Sequence, residues 1–139
     1  MSAVNKAFVQ RMVEVIQNQH QLEQMTDFFE PNFINHLDHD PASPLTSVEK
    51  AQQSFRQLFS AFPDLRVTIE HQVAEGDTVM THKRFYGTHL GSFMGTAPSG
   101  KSISFGVIDV LRLEHGKIIE HWAIQDRLAL MQEVGLLPS

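Results

Sequence analysis

Trp122 and Asp126 stand four residues apart near the end of a segment reading G-K-I-I-E-H-W-A-I-Q-D, an indole and a carboxylate placed where a strand gives way to a helix. A carboxyl group held against apolar surface loses solvation, which raises its pKa and suits it to exchange protons near neutral pH. Asp109 lies on the preceding apolar run, F-G-V-I-D-V-L-R-L, and is a second candidate of the same kind. A hairpin with two loop residues, His115 and Gly116, sets Glu114 against Lys117. It then pairs Leu111 with Glu120, Asp109 with Trp122, Val107 with Ile124 and Phe105 with Asp126. Opposed side chains share a face, so this register expects Phe105, Asp109, Trp122 and Asp126 on one apolar surface and His121 on the other. Four strand residues at ~3.4 Å each separate the Asp109 level from Asp126 by about 13 Å, too far for a carboxylate dyad.

Each candidate also has a plain structural use. Asp126 precedes a helix and can be its N-cap, worth about 1 kcal/mol. Trp122 can be core packing, and Asp109 can hold a neighbouring arginine such as Arg84 or Arg112. His36 ends an extended apolar segment and can reach a cavity, whereas Asp38, His39 and Asp40 read as a solvated acidic loop. His71, with apolar residues on either side of the alternation, reads as a hydrogen-bonded core histidine. The histidines lack the helical i, i+4 spacing of a metalloprotease motif, and no metal is expected. The glycines at 87, 91, 95 and 100 do not match the dinucleotide fingerprint, and no G-x-S-x-G elbow occurs.

The elements that must position these residues follow from periodicity. Val4, Phe8, Met12, Val15 and Ile16 mark a helix over residues 2–19, and a shorter helical segment, 22–29, stops at Pro31. Thr46 and Glu49 form a capping box before the stripe Val48, Ala51, Phe55, Leu58 and Phe62. From Leu65 the period becomes two, giving strands over 65–73, 78–89, 103–113 and 117–125, and a last helix over 127–134 closes at Gly135. The expected class is α+β: helices laid on one curved, mostly antiparallel sheet, in a single domain over residues 1–139. A net charge of -5 without basic runs argues against nucleic acid. Absent cysteines exclude disulfides and thiol chemistry, and the lack of a long apolar stretch argues against a membrane span. A cytoplasmic protein is the expectation.

Taken together, G-T-H-x-G-x-F-x-G-x-x-P-S-G-K, then F-x-x-I-D-x-x-R, then G-K-I-x-E-H-W-x-x-x-D, then L-M-Q-E-V-G resemble the SnoaL-like polyketide cyclases, or ester cyclases. The resemblance spans most of the chain, including F-I-N-H at Phe33 to His36. It implies a nuclear-transport-factor-2-like fold, in which a cone-shaped curved sheet and its helices enclose a pocket for a small apolar or aromatic molecule. It further implies cofactor-free acid/base chemistry: intramolecular aldol cyclisation or a related isomerisation of a carbonyl compound. Asp126 matches the family's general acid/base, and His36 and Trp122 match pocket positions; Phe105, Asp109 and Arg84 are further candidate substrate contacts. A homodimer or homotetramer formed through the outer sheet surface is also implied. The alternatives are a non-catalytic small-molecule binding protein of the same fold and an epoxide hydrolase or hydratase. The latter needs a paired acid and base, for which only His36 or Arg84 could supply the second group.

Overall fold

The computed structural model describes residues 2–138. Five strands form one sheet in the order β1-β5-β4-β3-β2, from β1 (Phe29–Asn35), β2 (Arg66–Glu75), β3 (Thr78–Thr88), β4 (Ser102–Glu114) and β5 (Lys117–Gln125). Helices α1 (Ser2–Met12), α2 (Ser47–Ala61) and α3 (Arg127–Glu133) accompany it. The β2-β3-β4-β5 meander is antiparallel, and β1 joins β5 in parallel as an edge. This is the expected α+β architecture, a curved and unclosed sheet with helices packed on it.

Helix α2 starts as its sequence dictates. The Thr46 side chain accepts from the Glu49 N–H, and the Glu49 carboxylate accepts from the Thr46 N–H, so two otherwise orphaned donors are satisfied. The first helix is shorter than the periodicity suggests. After Met12 the backbone widens into a π-helical stretch, Val13–Asn18, which turns Gln17 into the interior. The segment Leu22–Asp27 is 3₁₀ rather than α. Pro31 stands within edge strand β1, where a missing N–H is tolerated.

Strict alternation carries the core. On β3, Val79, Thr81, Lys83, Phe85 and Gly87 face inward, and on β4 Ile103, Phe105, Val107, Asp109, Leu111 and Leu113 do so. Register shifts break the alternation elsewhere, one of them in edge strand β1 between Phe29 and Ile34. In β2 the register shifts between Ile69 and His71, and in the β4–β5 pair it shifts between Arg112 and Leu113, so Ile119 is passed over in the pairing with β4. An extra residue reverses the facing of everything beyond it. His71 and Val73 therefore turn outward, and His71 is not a core histidine; its Nδ1 lies 3.1 Å from His82 Nδ1 on the outer face.

The loop between β3 and β4 is anchored against the end of α2, where the Leu90 and Gly91 N–H groups both donate to the Ala61 carbonyl. A Cβ at Gly91 would sit well inside van der Waals contact of the Ser60 carbonyl oxygen, which is backbone and cannot swing away. Gly91→Ala should therefore lower stability by about 1–3 kcal/mol, measured by urea unfolding.

Candidate active site

A cavity of about 640 Å³ lies between the inner face of the sheet and the helices. Phe33, Phe55, Phe85, Phe93, Phe105 and Leu111 make most of its wall apolar, and Phe85 and Phe105 stack at 5.1 Å. The size suits a drug-sized organic molecule. Against this apolar background a few polar groups converge.

Lys83 and Asp109 project inward from β3 and β4. Their charged groups meet at 2.5 Å, with side chains only 2% and 5% exposed. Lys83 Nζ also donates to Gln17 Oε1 at 3.2 Å, a contact made by the π-helical turn that brings Gln17 inside. An ammonium has three donors, so one N–H of Lys83 is left for a ligand. Asp109 Oδ1 is buried and has no hydrogen-bond partner among the described residues. A carboxylate oxygen left in this way is costly unless something bound to the cavity uses it.

His121 enters the cavity from β5, diagonal to Asp109, because Leu111 pairs with His121 and Asp109 with Ala123. Its Nδ1 lies 3.0 Å from Asn35 Oδ1, an oxygen that also accepts the Leu37 N–H. Nδ1 is thus the protonated nitrogen, and Nε2 keeps its lone pair. Burial pushes the His121 pKa down to about 4, with the Asp109 charge opposing and the Lys83 charge reinforcing the shift. The ring is neutral at physiological pH, so His121 is an acceptor there.

Of the residues picked from the sequence, Asp109 and Phe105 line this cavity. The other placements need correction, and for Trp122 the Ile119 bulge is the cause. Trp122 pairs with Val110 rather than Asp109 and faces outward, stacked on the His36 ring at 4.8 Å and 7°. His36 is likewise on the outer side, its Nε2 2.8 Å from Glu120 Oε2. Arg84 falls on the outer face of β3 and donates to Ser104 Oγ. Asp126 is exposed and outside the cavity wall, although Gln125 and Arg127 beside it do line the wall. Its Oδ1 accepts the Ala129 N–H at 3.2 Å, which is the N-cap geometry. Lys83, Gln17 and His121 also line the cavity, and the sequence pattern does not single them out as site residues. The burial of Lys83 is legible nonetheless, since it falls between Thr81 and Phe85 on the alternation that buries Val79.

No group of three or more His, Cys, Asp or Glu side chains able to hold a metal ion occurs among the described residues. Nor is any described helix long and apolar enough to cross a membrane.

The family model for the SnoaL-like polyketide cyclases matches residues 6–134. The chain belongs to the SnoaL-like polyketide cyclase family. Solved structures agree with this placement. AclR from Streptomyces galilaeus, assigned as a hydroxylase, is 28% identical with a TM-score of 0.87, over 100% of this chain and 85% of AclR. A protein from a Jannaschia species, assigned as a SnoaL-like polyketide cyclase, is 28% identical with a TM-score of 0.82, over 99% and 95%. IdmH from Streptomyces antibioticus, assigned as a polyketide cyclase, is 26% identical with a TM-score of 0.81, over 94% and 98%. No relative was found among the curated proteins.

Proposed function

We propose that this SnoaL-like family member is a cofactor-independent cyclase, and that Asp109, not Asp126, is its general acid/base. One observation carries the reading: a buried Lys83–Asp109 ion pair whose Asp109 Oδ1 has no partner among the described residues and lies in an apolar cavity. Oδ1 takes a proton from the carbon next to a substrate carbonyl. The remaining Lys83 N–H donates to the enolate oxygen as charge develops there. The enolate carbon attacks a second carbonyl of the same molecule, forming the ring bond, and the proton held by Asp109 passes to the new alkoxide. Base and acid are one group, and the cycle needs no external electron or proton carrier. His121 Nε2 accepts a substrate hydroxyl and fixes its orientation, and the phenylalanine-rich wall holds the chain folded.

The test is exchange of carbon-bound hydrogen for solvent deuterium in an aromatic beta-diketone probe, followed by NMR. Wild type and Asp126→Asn should exchange the probe faster than buffer alone, and Asp109→Asn should leave it at the buffer rate. If Asp126→Asn is the inactive variant, the acid/base role returns to Asp126. If wild type binds the probe and does not raise its exchange above the buffer rate, the protein is a binding protein of this fold.

A dimer through the outer sheet face is part of the same proposal. Two neighbouring cross-strand ladders there are rich in apolar groups: Val73, Met80, Val110 and Trp122, and His71, His82, Ile108 and Ile124. Val73 is 62% exposed and Ile124 80%, and a contiguous apolar sheet face of this kind is suited to a second copy. Sedimentation should show an assembly that Ile108→Glu converts to monomer. A monomeric wild type would rule the interface out.

A further inference from the structure

A second, smaller chamber of about 200 Å³ adjoins the main cavity and shares Asn35, Leu37, His39, Ala51 and Ser54 with it. Its remaining wall is polar, with Asp38, Asp40, Ser43, Ser47 and Lys50 among its residues. Helix α2 explains the join. The stripe of α2 that lines the two spaces runs from Ser47 and Lys50 at its N-terminal end, through Ala51 and Ser54, to Phe55 and Leu58. One helix face is thus polar at one end and apolar at the other, and a ligand lying along it would meet both in order.

The charges in the chamber decide what could sit there. Lys50 Nζ is 2.5 Å from Asp38 Oδ2 and 3.3 Å from the Asp40 carbonyl. Its hydrogen bond to Asp38 holds that carboxyl below the usual carboxylate range, so the pair is ionised and self-neutralising. With Asp40 beside it, no cationic excess remains for an anion. What remains are hydrogen-bonding groups without net charge to offer: a third N–H of the Lys50 ammonium, whose charge Asp38 balances, and the Ser47 and Ser54 hydroxyls, which make no hydrogen bond among the described residues. The volume equals on the order of six waters, enough for a short tail.

Resting on the reading of the main cavity given above, we infer that the substrate is an elongated molecule whose apolar ring system fills the main cavity and whose tail ends in a neutral oxygen function, hydroxyl or carbonyl, bound at Lys50 and Ser47. The acidic loop around residue 39 is then the end wall of a binding site rather than a solvated turn. A free carboxylate tail would meet Asp38 and Asp40 and be disfavoured.

The test uses three beta-naphthyl propyl ethers, ending in methyl, in hydroxyl and in carboxylate, titrated by calorimetry and naphthalene fluorescence. Wild type should bind the hydroxyl probe about tenfold more tightly than the methyl probe, the equivalent of about 1.4 kcal/mol, and the carboxylate probe more weakly than the hydroxyl one. Lys50→Met should bring hydroxyl and methyl affinities within about twofold of each other while leaving the methyl probe's affinity unchanged. Ser47→Ala, a milder change, should move the ratio in the same direction. Equal affinity for hydroxyl and methyl probes in folded wild type would overturn the inference and leave the main-cavity reading standing. If none of the three binds, the main-cavity reading fails with it.

Discussion

Asp109→Asn should lower turnover by about 10²–10⁴-fold, the range that a positioned acid/base supplies, and should also destabilise the fold. Asparagine leaves the Lys83 ammonium buried without its counter-charge, and breaking a buried pair in this way costs about 3–5 kcal/mol. Lost activity could then be blamed on unfolding, so the decisive variant removes both charges. An Asp109→Leu/Lys83→Met double variant deletes the desolvation cost along with the attraction, and urea unfolding should return its stability close to wild type. Deuterium exchange should stay at the buffer rate, because neither the base nor the enolate-stabilising cation is present. Lys83→Met alone should lose activity as well, with the uncompensated Asp109 carboxylate now the source of instability. A stable double variant that still exchanges the probe faster than buffer alone would show the pair to be structural.

Lys83 and Asp109 lie on unbroken alternation in β3 and β4, whereas the irregularities in β2 and β5 leave no mark on the sequence pattern. The order and type of most elements are legible in the periodicity, and the capping box at Thr46 and Glu49 is legible residue by residue. Register is not. Ile118 and Ile119 are both apolar, and Trp122, Ile124 and Ala123 supply apolar side chains in either phase of β5, so the pattern cannot reveal that Ile119 is skipped. The hairpin turn was placed correctly, with Glu114 opposite Lys117, yet one extra residue beyond it exchanged His121 for Trp122 on the cavity side. In β2 the alternation of Val67, Ile69, His71 and Val73 is unbroken in sequence, but the register shifts after Ile69 and leaves Val73 exposed. Apolar residues on the outer face defeat the rule that apolar means inside, and a face that docks a second copy would need just such residues. Gln17 was hidden for another reason: a π-helical turn is decided by packing, and the helical spacing of the apolar residues around it carries no trace of the change.

His121 offers the sharpest test of the site's electrostatics. Unfolded, its imidazole has the ordinary pKa of 6.5; folded, it resists protonation until about pH 4 because the charged ring would lose its hydration. Between these values the unfolded chain holds a proton that the folded chain does not, so acid favours unfolding. Stability should be fully present above about pH 6.5 and should fall with decreasing pH at up to 1.36 kcal/mol per unit, for a total near 3 kcal/mol by pH 4. Carboxylates act later. Hydrogen bonds hold the Asp38, Glu49, Asp64 and Glu120 carboxyls below their ordinary values of 3.8 or 4.5, so the stability they contribute is lost only as pH falls below that range. The interval from pH 6.5 to 4.5 thus separates histidine titration from these carboxylates, and a variant at position 121 singles out His121. His121→Gln keeps a hydrogen-bonding side chain near Asn35 but cannot titrate, and the difference in urea midpoint between wild type and variant should shift steadily in the variant's favour as pH falls through that interval. A constant difference would mean that water reaches the ring, and the picture of a dry cavity floor built from His121, Asp109 and Lys83 would have to be abandoned.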